Sequence, residues 1–106
     1  MTKQEKQFVI DDIIDVLKDI YDPEIPVNIY DLGLVYGIDL DDEGNAEITM
    51  TLTSPMCPVA ESLPGEVRNA VRFVEGVEQV RVKIVWDPPW DADKMSEDAK
   101  LVLGMM

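Results

Sequence analysis

A chain of 106 residues with 46% hydrophobic side chains has the size and composition of one globular domain, so disorder and a second domain are not expected. Its 22 acidic and 9 basic residues leave a formal charge of −13, with the cations scattered rather than gathered, which disfavours nucleic acid as a partner. The absence of histidine removes every imidazole triad, His-ligated zinc site and imidazole proton shuttle, and the single cysteine, Cys57, permits no internal disulfide and fits a reducing cytoplasm.

Along the chain, Thr2-Lys3-Gln4-Glu5 reads as a capping box that opens a helix running to about Tyr21. Ile10, Ile13, Ile14, Leu17 and Ile20 recur at helical spacing and predict one buried stripe. Asp22-Pro23 stops that helix, since proline disfavours helical geometry in the residue before it. Glu24 to Gly33, with Pro26 inside, is an ordered loop leading into a strand where Leu34, Tyr36, Ile38 and Leu40 alternate. Asp41 to Asn45 is a hairpin turn. Ile48, Met50 and Leu52 then alternate with Glu47, Thr49, Thr51 and Thr53, which predicts a second strand with one buried and one polar face.

Ser54-Pro55-Met56-Cys57-Pro58 breaks this strand. A second helix carries Ala60, Leu63, Val67, Ala70, Val71 and Val74 on one face, with Pro64 kinking it or marking its start and Gly76 ending it. Val80, Val82, Ile84 and Trp86 alternate as a third strand, Asp87 to Trp90 is a rigid turn, and Ser96 caps a short last helix that Gly104 closes. The order α-β-β-α-β-α predicts a two-layer α+β domain over residues 1–106, built on a small three-stranded mixed sheet whose second and third strands run parallel through a right-handed crossover. Neither common nucleotide cradle is present, the N-terminus lacks an apolar signal core, and no apolar run approaches the ~20 residues of a membrane span.

Cys57 is the first candidate for chemistry. It follows a strand, and Pro58 suits a first helical position, which puts the cysteine at the N-cap. A thiolate there meets unpaired amides and the positive end of the helix dipole, worth about 0.3–1 kcal/mol, so the thiol is moderately activated and accessible. The alternative is a small buried hydrophobe. Asp22 and Glu24 form an acidic element; Asp22 stands just past a helix C-terminus, where a carboxylate is locally unfavourable and a second task is implied, and turn formation is the alternative. Thr51, Thr53 and Ser54 could offer hydroxyls to a ligand at Cys57, or simply line an exposed strand face. Trp86, Trp90 and the Pro88-Pro89 pair are packing residues or a partner-binding edge.

Three segments together resemble one family. They are Asp22 to Val35, Met50 to Pro58, and Trp86 to Trp90 followed by Met95-Ser96 and Leu103-Gly104. In order and spacing they resemble the SufT/PaaD-like iron–sulfur cluster assembly family, which includes a eukaryotic targeting subunit of cytosolic iron–sulfur assembly. The resemblance implies a small α+β fold, a role in maturing iron–sulfur proteins, a functional cysteine that matches Cys57, and an acidic element that matches Asp22 and Glu24. The P-loop ATPase motif fused to this domain in carrier proteins is absent, so ATP dependence would need a partner. The further C-terminal cysteines typical of the PaaD branch are absent too, which favours the SufT-like branch.

Clusters usually take four thiolates, and one chain supplies one. No stably bound cofactor is therefore expected; a labile iron–sulfur cluster shared between chains, with Cys57 a transient ligand and Asp22 a second, satisfies the count. The leading expectation is a cytoplasmic accessory factor, not an enzyme, that meets iron–sulfur assembly proteins and client apoproteins, touches neither nucleic acid nor membrane, and could form a homodimer. The alternatives are a non-catalytic adaptor that docks the machinery onto clients, or a PaaD-like factor supporting a multicomponent oxygenase. A thiol enzyme is disfavoured because no histidine base is available.

Overall fold

The computed structural model describes residues 2–22, 26–52 and 63–104. Helix α1 spans Lys3–Leu17, with the Thr2 hydroxyl accepting from the Glu5 amide at 3.1 Å as the cap signal requires. The buried stripe is Val9, Ile13 and Leu17, continued by Ile20; Ile10 and Ile14 lie half-buried at its margins. The helix stops short of the expected Tyr21. The amides of Asp19 and Ile20 turn to the carbonyls of Val16 and Leu17, three residues back, and the Ile20 carbonyl instead accepts from Ile29 at 2.8 Å. A long-range contact from the following loop thus takes the carbonyl beyond the last turn.

Strands β1 (Val35–Leu40) and β2 (Asn45–Met50) are antiparallel, and β3 (Gln79–Ile84) runs parallel to β2, giving the order β1-β2-β3. The register sets Leu40, Ala46 and Val80 in one row, Ile38, Ile48 and Val82 in the next, and Val35, Met50 and Ile84 in the third. These rows face the helical layer. The other face carries Asp39, Glu47 and Arg81, then Gly37, Thr49 and Lys83. A bulge between Val35 and Gly37 interrupts the alternation expected for β1, so Val35, rather than Tyr36, shares the inner face with Ile38 and Leu40. The third strand ends at Ile84, leaving Trp86 outside it and 46% exposed.

Helix α2 (Leu63–Val71) carries Pro64 in its first turn, where a missing amide costs no intrahelical bond, and buries Leu63, Val67 and Val71 against β3 and α1. Each fully buried aliphatic side chain of this kind contributes about 1.5–3 kcal/mol. After β3 the chain crosses back towards β1. The Tyr36 hydroxyl donates to the Pro88 carbonyl at 2.8 Å, the Trp90 indole donates to the Leu32 carbonyl at 2.7 Å, and the Ser96 amide donates to the Asp31 carbonyl at 2.7 Å. The Asp87–Pro88 bond within this crossing is cis. A 3-10 turn (Ala92–Lys94) and helix α3 (Glu97–Val102), capped by the Ser96 hydroxyl, complete the α-β-β-α-β-α order and bury Met95 and Ala99. The architecture is the two-layer α+β domain with a mixed three-stranded sheet that the pattern predicts.

Candidate functional site

A ladder of backbone hydrogen bonds joins four segments at one end of the sheet. The Ile29 amide donates to Ile20, Leu34 to Ile29 at 3.1 Å, Thr51 to Leu34 at 2.8 Å, and Val85 to Met50 at 2.9 Å. The exit of α1, the loop from Pro26 to Leu34, the end of β2 and the end of β3 therefore meet at one place. It is the end at which the parallel strands finish, where α/β sheets commonly seat their ligands. Asn28 braces the loop, accepting from the Asp31 amide at 2.9 Å and donating to the Asp31 carboxylate at 2.8 Å.

Asp22 stands at this end. It is 4% exposed, follows an isolated bridge between Tyr21 and Asn28, and its amide donates to the Val27 carbonyl. Of the expected site residues Cys57, Asp22, Glu24, Thr53 and Ser54, it alone is described; the other four lie outside the described residues, as does the proposed N-cap of the second helix. The strand face that was expected to be polar and exposed is not so at its end. Thr51 is 1% exposed, and its hydroxyl has no hydrogen-bond partner among the described residues. An orphaned buried hydroxyl costs about 1–3 kcal/mol, and such groups in native proteins call for an explanation. Periodicity alone assigns Thr51 to the outer face, because it contains no sign that the loop ending at Leu34 folds onto it; the sequence does mark Thr51 as one of three hydroxyls leading up to Cys57.

The groove along β3, about 660 Å³ in volume, is elsewhere. It is lined among others by Asp39, Asp41, Glu47, Arg68, Gln79 and Arg81, and neither Asp22 nor Thr51 reaches it. Among the described residues no three histidine, cysteine or acidic side chains converge to hold a metal, and no helix is long and apolar enough to cross a membrane. Burial, with Asp91 nearby, pushes the Tyr36 phenol above its ordinary value, so this group keeps its proton and serves as a strut to Pro88.

A mixed three-stranded sheet backed by helices, with Asp22 and Thr51 the buried polar residues among those described and both at the sheet end, defines a small α+β domain. The chain belongs to the iron–sulfur cluster assembly protein family, whose model matches residues 10–84, from α1 through β3. It is 47% identical over 96 residues to the Fe-S protein maturation auxiliary factor of Porphyromonas gingivalis, covering 91% of each chain. It is 46% identical over 95 residues to the Fe-S protein maturation auxiliary factor YitW of Bacillus subtilis, covering 90% of this chain and 93% of that one. Among solved structures it resembles the domain of unknown function DUF59 from Bacillus anthracis, at 38% identity and a TM-score of 0.87 over 94% of this chain and 95% of that one.

Proposed function

We propose that this protein is an accessory factor that helps to deliver iron–sulfur clusters to client apoproteins in the cytoplasm, with the cluster as cargo rather than resident cofactor. The observation that carries this reading is the near full-length match to relatives named as Fe-S protein maturation auxiliary factors. The sheet end supports it. Asp22 and Thr51, whose hydroxyl has no partner among the described residues, are both buried there, and Cys57 follows in sequence five residues after Leu52. Five residues of fully extended chain span at most about 18 Å.

In this reading Cys57 is a transient thiolate ligand. Asp22 is a carboxylate that orients the thiol or lends an oxygen to iron, and Glu24, Thr53 and Ser54 complete the surroundings of the sulfur. One thiolate cannot hold a cluster of the usual four-thiolate kind, so the remaining ligands come from an assembly protein, a client or a second copy of the chain. A ligand set divided in this way suits cargo that must be given up. Nothing in the proposal requires turnover of a substrate by the chain itself.

Anaerobic reconstitution with iron and sulfide, read by visible absorbance and by molecular mass, tests the assignment. The wild-type protein is expected to gain sulfide-to-iron absorbance together with a rise in mass as chains share the cluster, and Cys57→Ser to gain neither. Full maturation of client enzymes by a Cys57→Ala variant would remove the thiolate from the mechanism.

A further inference from the structure

The open side of β3 is unlike the rest of this acidic molecule. β3 is an edge strand, paired with β2 on one side and with no described strand on the other. The chain leaving it does not return to cover that side: Val85 bonds to Met50, and the following residues cross to Tyr36 and Leu32 on the β1 side. Among the described residues, one row of backbone donors and acceptors along six residues is therefore left unpaired with any strand, at the ordinary length of a strand.

The charge along this edge is reversed. Between Leu63 and Ile84 there are four cations, Arg68, Arg72, Arg81 and Lys83, and three acids, Glu66, Glu75 and Glu78, a net of +1 in a chain of −13. β3 itself contains no acid. Arg68, Arg72, Arg81 and Lys83 are all exposed, and among the described residues no ion pair engages them. Glu47 stands beside Arg81 in the register, but Lys83 faces only Thr49. Arg68 and four consecutive residues of β3, Gln79 to Val82, line the 660 Å³ groove together with Asp39, Asp41 and Glu47 on the β1–β2 side, so its cations lie towards β3 and its acids away from it. Phe73, 81% exposed just beyond α2, has the Arg72 guanidinium 5.3 Å from its ring centre.

From this edge and its charge we infer that β3 is a docking strand for an extended, acidic segment of a partner protein, which adds to the sheet as a fourth strand with its carboxylates towards Lys83, Arg81 and Arg68. Main-chain bonds supply the attachment and the alternating side chains the selectivity. The same cations select against the other occupant that an open edge invites. A second copy pairing β3 against β3 would set Arg81 and Lys83 near their own counterparts, and like charges across strands are destabilising. A nucleic-acid backbone meets too few cations and the repulsion of the whole molecule. The inference does not depend on Cys57.

The test uses the full chain and a capped hexapeptide alternating valine and glutamate, followed by amide NMR shifts and hydrogen exchange. A peptide with lysine in place of glutamate and an acidic peptide with a central proline are the controls. The acidic peptide is expected to shift the amides of residues 79–84 saturably and slow their exchange, and the controls to do neither. The double variant Arg81→Glu, Lys83→Glu, both at exposed positions and checked for an unchanged unfolding midpoint, is expected to bind the acidic peptide about tenfold or more weaker and to favour the lysine peptide. Shifts confined to other residues, equal response to both charges, absence of response at ~1 mM peptide (the weak limit of specific recognition), or a dimer held through β3 would each overturn the inference.

Discussion

Thr51 and Leu34 are joined one step beyond the last paired residues of β1 and β2: the Thr51 amide donates to the Leu34 carbonyl at 2.8 Å, while the buried Thr51 hydroxyl has no partner among the described residues. Among the described residues the Thr51 amide is satisfied and its hydroxyl is not. Thr51→Val removes it at nearly constant shape. It is expected to stabilise the protein by about 1 kcal/mol, the lower end of what an unsatisfied buried group costs, and to raise the thermal midpoint by roughly 4–8 °C. Thr51→Ser keeps the hydroxyl and loses a methyl, costing about 0.8 kcal/mol. If the hydroxyl serves the cargo, client maturation falls in the valine variant and survives in the less stable serine variant. A valine variant that is both more stable and fully active makes Thr51 a packing residue.

At Gly33 the crossing C-terminal segment leaves no room for a side chain. Its φ is +82°, and a Cβ built there would lie 2.2 Å from the Lys94 carbonyl oxygen. Gly33→Ala meets both the backbone penalty, about 1–3 kcal/mol, and a clash with main chain that cannot swing aside. The expected result is a loss of stability above that backbone cost, with selective loosening of Trp90 and Ser96, whose bonds to Leu32 and Asp31 flank the site. Urea unfolding and Trp90 fluorescence read both effects. A variant as stable as wild type would show that the segment does not rest on Gly33.

The fold was largely legible because its local signals agree with its packing. Thr2 and Ser96 cap helices, Pro64 falls in a first turn, Gly44 and Gly76 take positive φ where turns were expected, and Ile48, Met50, Val67 and Val71 are buried on the faces their spacing marks. The departures share one cause, which is contact between residues distant in sequence. The Ile29 amide draws the Ile20 carbonyl out of the first helix, the bulge at Tyr36 turns its phenol to Pro88, and Thr51, which alternation places in solvent, is buried where its amide bonds to Leu34. The site was legible only as a list of residue types. Asp22 and Thr51 share the sheet end through a backbone ladder that no periodicity encodes.

The hairpin between β1 and β2 makes a prediction in acid. The Asp41 carboxylate accepts from the Asn45 amide at 2.9 Å, the Asn45 side chain at 2.8 Å and the Glu43 amide at 2.8 Å. These bonds, led by that from the Asn45 backbone, hold its pKa below the ordinary 3.8. A depressed folded value means that the turn's contribution is fully present above the ordinary value and is lost as the pH falls through the lower, folded one. The Gly44 and Asn45 amide shifts should titrate together with a midpoint below 3.8, and Asp41→Asn should abolish the transition. A midpoint at or above the ordinary value would mean that the bonds do not persist in solution.

Asp22 offers the sharpest division between architecture and chemistry. A side chain 4% exposed and already engaged cannot be shortened freely, so Asp22→Ala should cost about 1–3 kcal/mol by stranding its partner. Asp22→Asn keeps the shape and one acceptor oxygen, so it should lose less. The two variants separate once iron is introduced. A carboxylate oxygen is a far better ligand than an amide for iron held by few thiolates, so the asparagine variant, folded and with Cys57 intact, should retain less iron per chain after anaerobic reconstitution and desalting. Equal iron content in the asparagine variant and the wild type, with the alanine variant merely less stable, would confine Asp22 to bracing the loop and leave Cys57 to find its other ligands on a partner.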